Sequence, residues 1–199
     1  FAPWDTSTPV QTGTPTRSPP AIAKPMTPDM SWTEAPPSQG ASLTAWSRRR
    51  AQAGERGPVW IVARRQTAGH GRRGRGWSSP EGNLMATVLM RPAIAIADAP
   101  QISFVAALAV ADLLDRCAPG HCTLKWPNDP LLDGRKAAGV LPDSAGRADG
   151  TLDWLLVGFG VNLAASPDDT PYPTASVRSV TGLAPDPEIG RASCRERVS

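Results

Sequence analysis

The stretch Lys125-Trp126-Pro127-Asn128-Asp129-Pro130-Leu131-Leu132-Asp133-Gly134-Arg135-Lys136-Ala137-Ala138-Gly139-Val140-Leu141 decides how the rest of the chain is read. Thr123 to Trp126 has the make-up of a short strand, and Pro127 to Pro130 stops it with two prolines flanking a turn pair. Asp133-Gly134 between Leu132 and Arg135 is a hairpin signal, because both residues tolerate positive φ. Ala137 to Leu141 is a further short strand. Strands joined this tightly belong to an antiparallel arrangement.

Working outward, the same pattern recurs. Leu152 to Leu163 predicts a long strand in which Gly158 and Gly160 leave room for close approach. Gly146 to Gly150 predicts a hairpin loop before it. On the N-terminal side, Val59 to Ala63 is a buried β-rich run and Leu84 to Met90 a second strand. Between them, residues 65 to 80 form a basic, glycine-rich loop. Asp98 is placed to cap a helix running to about Arg116, with Pro100 in its first turn and Ile102, Val105, Ala109 and Leu113 as its apolar stripe, Leu108 beside it. A short helix is expected from Leu43 to Ala53. One central helix among hairpin-joined strands predicts an α+β fold with a mixed, mostly antiparallel sheet, rather than a doubly wound one.

Composition bounds the class. The 199 residues suffice for one domain with a real core, and 40% hydrophobic content is ordinary for a soluble protein. The apolar-rich stretch Ile102 to Leu114 is too short to span a bilayer. No signal peptide is visible, and a cytoplasmic protein is expected; Phe1 in place of Met suggests a fragment. A net charge of +3 argues only weakly for an anionic partner. Cys117, Cys122 and Cys194 are an odd, sparse set that fits a reducing compartment. Cys117 and Cys122 lie near His121, but the spacing matches no common zinc pattern, so no metal site is expected. Residues 1 to 40 are Pro-, Thr- and Ser-rich and predict disorder. Residues 188 to 199 have no apolar face and look foreign to the domain before them, which leaves 41 to 187 as the folded unit.

The loop Gln66-Thr67-Ala68-Gly69-His70-Gly71-Arg72-Arg73-Gly74-Arg75-Gly76-Trp77 carries chemistry. Its glycines let backbone N–H groups approach a ligand, and its arginines can fork onto phosphate oxygens. Gly69-x-Gly71-x-x-Gly74 matches a dinucleotide fingerprint, though Trp77-Ser78-Ser79-Pro80 lets no helix open after it. Binding nucleic acid through phosphates and a merely solvated basic loop fit the loop equally well.

Three features in order, this loop, the Lys125 to Leu141 stretch and Val157-Gly158-Phe159-Gly160-Val161-Asn162-Leu163, together resemble the biotin protein ligases over roughly residues 41 to 187. Ser42 and the Pro171-Tyr172-Pro173-Thr174-Ala175-Ser176 turn join the resemblance. It implies a fold related to class II aminoacyl-tRNA synthetases. It implies that biotin, ATP and Mg²⁺ give biotinyl-AMP, which is passed to a lysine of the biotin carboxyl carrier domain of acetyl-CoA carboxylase. It further implies biotin contacts from Ser42, Thr44, Gln66, His70, Gly71 and Arg72, and nucleotide contacts from Arg72, Arg75, Trp77, Asn128 and Asn162. Lys136 would lie between carboxylate and phosphate, and Asp129 would orient the acceptor lysine. The chain departs from the family where Ala41-Ser42-Leu43-Thr44 replaces the usual Asp-Ser-Thr-Asn and His70 replaces an arginine. DNA is not an expected partner, because no winged-helix segment fits upstream, and no membrane is expected, because the apolar-rich stretch is too short. A lipoate-type ligase of the same fold, and an inactive remnant that at most binds biotin, are the alternatives.

Overall fold

The computed structural model describes residues 31–36 and 42–187. The tail from 188 onward and most of the segment 1–40 lie outside the described residues. Eight strands and three α-helices are present among them: β1 Ser31–Glu34, β2 Val59–Ala63, β3 Leu84–Met90, β4 Cys122–Lys125, β5 Asp129–Leu132, β6 Arg135–Lys136, β7 Ala138–Gly146, β8 Leu152–Val161, α1 Leu43–Gln52, α2 Ile102–Cys117 and α3 Val177–Thr181. Five strands form one sheet in the order β1-β2-β3-β8-β7, and β4-β5-β6 form a second. Only β1–β2 is parallel; the other pairings are antiparallel. The fold is thus α+β with a mixed, mostly antiparallel sheet.

Side-chain alternation assigns the two faces of the large sheet. On one face Ile61, Met85, Leu89, Trp154 and Leu156 pack with Leu43 and Ala51 of α1. On the other, Val88, Leu155, Val157 and Val161 pack with Ala107, Val110 and Leu114 of α2. α1 has its expected extent, and Ser42 caps it through a hydrogen bond accepted from the Ala45 N–H at 3.3 Å.

Four expectations are corrected. The first concerns 1 to 40: Ser31–Glu34 is a strand, register-paired with β2, and Ala35 is buried beside it. Trp32 stacks on Trp60 with centroids 5.3 Å apart, so a large aromatic contact replaces the missing apolar periodicity. The second concerns the central helix. Asp98 does not cap it: a 3-10 turn spans Ile96–Gln101 and α2 begins at Ile102. Its buried residues are Ala106, Ala107, Val110 and Leu114, while Val105 and Leu108 are 61% and 57% exposed. Small alanines let the helix lie close to the sheet, and that proximity outweighs the larger side chains in fixing its rotation. The third is length: turn and helix together, Ile96–Cys117, are 22 residues, long and apolar enough by composition alone to cross a membrane. A core helix passes the same test, and the buried side of α2 joins the core. The fourth is β7, which runs on through Pro142 to Gly146 instead of stopping at Leu141. It lies at the end of the sheet order, where a proline lacking an N–H is tolerated.

Candidate active site

The α1 face of the sheet changes character beyond the first turn of α1. Alternation continues from Trp154 and Leu156 of β8 to Gly158 and Gly160, and Gly160 is paired with Gly139 of β7. Missing side chains here leave a floor. Trp77 occupies it: a Cβ at Gly160 would come within 2.5 Å of the indole Cε2, and one at Gly139 within 3.1 Å of Cζ3. The indole therefore lies on two paired glycines that nothing larger could replace without moving it. Thr44 of α1 stands over Gly158 in the same way, its Oγ1 3.3 Å from where a Cβ would sit.

The glycine-arginine loop closes over this floor as a hairpin. Gly71 N–H donates to the Arg75 carbonyl at 2.7 Å and Trp77 N–H to the Gly69 carbonyl at 2.9 Å, with His70 and Gly76 bridged. The turn at its tip holds Arg73 at φ 59° and Gly74 at φ 71°. Arg72, Arg73 and Arg75 are exposed, and among the described residues none of them forms an ion pair. At the base of the loop, Gln66 is oriented at both ends: its Oε1 accepts from Leu43 N–H at 2.8 Å and its Nε2 donates to Ser79 Oγ at 3.0 Å.

The opposite wall is the small sheet. β4 and β5 are joined through Trp126-Pro127-Asn128, and β5 and β6 through the Asp133-Gly134 turn, with φ 48° and 73°. Lys136 Nζ donates to Asp129 Oδ1 at 2.7 Å, both side chains only partly exposed. Its neighbour Arg135 approaches Asp133 at 3.7 Å and does not line the cavity. Lys136 is also fixed by its backbone: its N–H donates to the Pro173 carbonyl at 2.9 Å and its carbonyl accepts from Ala175 N–H at 3.0 Å.

These walls enclose a cavity of about 600 Å³. Ten of the expected residues meet there: Thr44, Gln66, His70, Gly71, Arg72 and Arg75 from the first half of the chain, with Trp77, Asn128, Asp129 and Lys136. Ser42 stands just outside, its Oγ 3.3 Å from His70 Nδ1. Asn162 is not among the lining residues. β8 ends at Val161, so alternation no longer carries position 162 toward the floor, and the Asn162 Nδ2 donates to the Ala175 carbonyl at 3.2 Å. Its Oδ1 is buried with no partner among the described residues.

Sequence reading passed over Thr87, Lys125 and Tyr172, which also line the cavity. Strand parity with Met85 and Leu89 could have found Thr87. Tyr172 carried no local signal beyond its turn. Asn83 was missed as well: its Oδ1 accepts from the N–H groups of Leu163, Ala164 and Ala165 at 2.9–3.1 Å, fixing the exit of β8.

Arg72, Arg73, Arg75, Lys125 and Lys136 line this space together with one carboxylate, Asp129. A cavity with that balance suits two anions brought together. Residues 39–162 match the biotin/lipoate A/B protein ligase family. The chain belongs to this family. It is 47% identical over 139 residues to the biotin–[acetyl-CoA-carboxylase] ligase of Paracoccus denitrificans, covering 66% of this chain and 58% of that protein. It is 32% identical over 139 residues to the bifunctional ligase/repressor BirA of Bacillus subtilis, covering 69% of this chain and 42% of that one. The chain thus spans about half the length of these relatives. Among solved structures, the biotin protein ligase of Aquifex aeolicus in complex with biotin and ATP aligns with a TM-score of 0.65 and 27% identity, over 85% of this chain and 68% of that one. That of Leishmania major in complex with biotin aligns at 0.68 and 23% identity, over 86% and 73%, and supports the fold alone. For this family member, the basic cavity is the candidate active site.

Proposed function

We propose that the chain carries the activating site of a biotin protein ligase, which joins biotin to AMP and passes it to a lysine of a biotin carboxyl carrier domain. The observation that carries this reading is the meeting of the Gly69–Gly76 loop and the Lys136–Asp129 pair on one cation-rich cavity.

A biotin carboxylate oxygen attacks the α-phosphorus of ATP, and the bond to the bridging oxygen breaks to release pyrophosphate. The acceptor lysine's amine then attacks the acyl carbon and AMP leaves. Both nucleophiles are substrates, so the protein's task is to neutralise and align anions. Arg72 lies at the loop's turn, where it reaches both biotin and the phosphate, and Arg75 takes the remaining phosphate charge. Trp77 offers an aromatic face to the adenine from its glycine floor. Asn128 binds on the nucleotide side, while Asn162, outside the cavity lining, donates to the Ala175 carbonyl and supports the segment that Lys136 bonds. Gln66, Gly71, His70, Thr44 and Ser42 form the biotin end. Lys136 exchanges Asp129 for the anions converging on the phosphorus, which frees Asp129 to orient the incoming amine. Mg²⁺ enters with ATP, and its ligands come from phosphate oxygens and water, since Asp129 is the only carboxylate among the cavity's described residues.

Biotin is favoured over lipoate because the near relatives are named as biotin ligases. The test is pyrophosphate exchange into ATP with biotin or lipoate, followed by mass spectrometry of a carrier domain. Biotin-dependent exchange and a biotinylated lysine are expected. Exchange driven only by lipoate, or by neither acid, overturns the reading.

A further inference from the structure

Tyr172 has no part in the roles above, yet it lines the cavity beside Lys136. The Lys136 Nζ stands 5.3 Å from the centroid of its ring, inside the distance at which a ring face attracts an ammonium. The ring's position is not accidental to a loose loop. Just beyond Tyr172 in the same segment, the Pro173 carbonyl accepts from Lys136 N–H and the Ala175 N–H donates to the Lys136 carbonyl. The Tyr172 carbonyl accepts from Thr170 Oγ1, and Thr174 Oγ1 donates to the Pro167 carbonyl, both at 2.5 Å. One clamp therefore carries both the lysine backbone and the aromatic face next to its charge.

The arrangement answers a problem that Asp129 creates. Lysine is a point charge on a flexible stem, and a carboxylate at 2.7 Å both holds that charge and neutralises it. To act on an anionic substrate the ammonium must leave Asp129, and it would then have its whole stem free to wander. A neutral ring face supports the ammonium without cancelling its charge and without competing for its protons. We infer that Tyr172 is a positioning residue for Lys136, holding the ammonium at the reacting centre when it moves from Asp129 to the substrate's anions. The inference rests on the role proposed above for Lys136.

The test uses the full chain and three variants, Tyr172→Leu, Tyr172→Phe and Lys136→Arg. A cation–π contact contributes about 0.5–2 kcal/mol, which corresponds to roughly 2- to 30-fold in rate. Tyr172→Leu should lower kcat of biotin-dependent pyrophosphate exchange by that factor, with the KM values for biotin and ATP changed less than twofold. Tyr172→Phe keeps the ring and should recover most of the loss. A second readout needs no turnover. In a proton–carbon spectrum of the ¹³C-lysine-labelled chain, the Lys136 ε-methylene signal, assigned by its loss in Lys136→Arg, should lie upfield under the ring current. It should stay there in Tyr172→Phe and move to the common lysine position in Tyr172→Leu. A Tyr172→Phe variant as slow as Tyr172→Leu, a Tyr172→Leu variant as fast as the parent, or an effect confined to KM would overturn the inference. So would a Lys136 signal at the common position in the parent chain, which also decides the matter if Tyr172→Leu does not fold. If the parent shows no biotin-dependent exchange, the ligase reading fails on its own, and the spectrum still judges whether the ring holds the lysine.

Discussion

At the scale of single residues, adjacency in sequence conceals opposite fates. Lys136 enters the cavity and bonds Asp129, while Arg135, one position earlier on the two-residue strand β6, pairs weakly with Asp133 outside it. Lys136→Ala should therefore lower biotin-dependent pyrophosphate exchange by on the order of two to three decades, the loss of one charge-stabilising donor being about 3–4 kcal/mol of barrier. Arg135→Ala should change it little; the reverse ranking would place the catalytic ammonium wrongly. The glycine floor makes a second residue-scale prediction. Gly160→Ala puts a methyl group into the Trp77 indole, and overpacking of this kind costs about 1–3 kcal/mol. A lower midpoint in urea together with altered tryptophan fluorescence is expected. An unchanged spectrum would mean that the indole does not rest on β8.

At the scale of elements, α2 shows how an apolar pattern can be read one step out of phase. Nearly every residue from Ile102 to Leu114 is apolar, so periodicity offered several stripes, and only contact with the sheet selected one. Leu114→Ala should cost about 2–5 kcal/mol, as for a buried leucine elsewhere. Leu108→Ala should stay within about 0.5 kcal/mol, since that side chain is mostly exposed. Chemical denaturation of both variants checks the rotation of the helix, and equal losses would contradict it. The helix's C-terminal end bears on thiol chemistry. Burial raises the Cys117 thiol's pKa, and burial together with Asp115 and Asp112 raises that of Cys122. Both stay protonated at pH 8, so iodoacetamide should label them more slowly in the folded chain than after denaturation. Equal rates would show that neither thiol is shielded.

At the scale of the whole molecule, the first strand ties the chain's beginning to the sheet. β1 adds a parallel edge next to β2 and holds it with the Trp32–Trp60 stack, which continues to Phe159 at 5.6 Å. Trp32→Ala should lower the melting temperature by several degrees, because an aromatic pair adds about 0.5–1.5 kcal/mol beyond its buried area. An unchanged melting temperature would show that β1 contributes nothing to the domain. The cavity, by contrast, belongs to no single element: the 65–80 loop, the small sheet, the β7–β8 floor and the start of α1 each supply one side.

What the sequence determined by itself was local and chemical. The Asp133-Gly134 turn, the loop before Gly150 and the extent of β2, β3 and α1 follow from φ preferences and short-range apolar runs, all of which act over a few residues. The cation-rich loop and the lysine after the turn were likewise visible, because their chemistry is carried by residue type. Only the tertiary structure decided which face of α2 is buried, that Trp32 finds Trp60, that Asn162 turns away from the cavity, and that Tyr172 stands beside Lys136. Each of these depends on a partner about 10 to 70 residues away in the chain, at a distance and angle set by how sheets and helices pack. A one-dimensional pattern encodes the period of a side chain's exposure but not the identity of what it will meet.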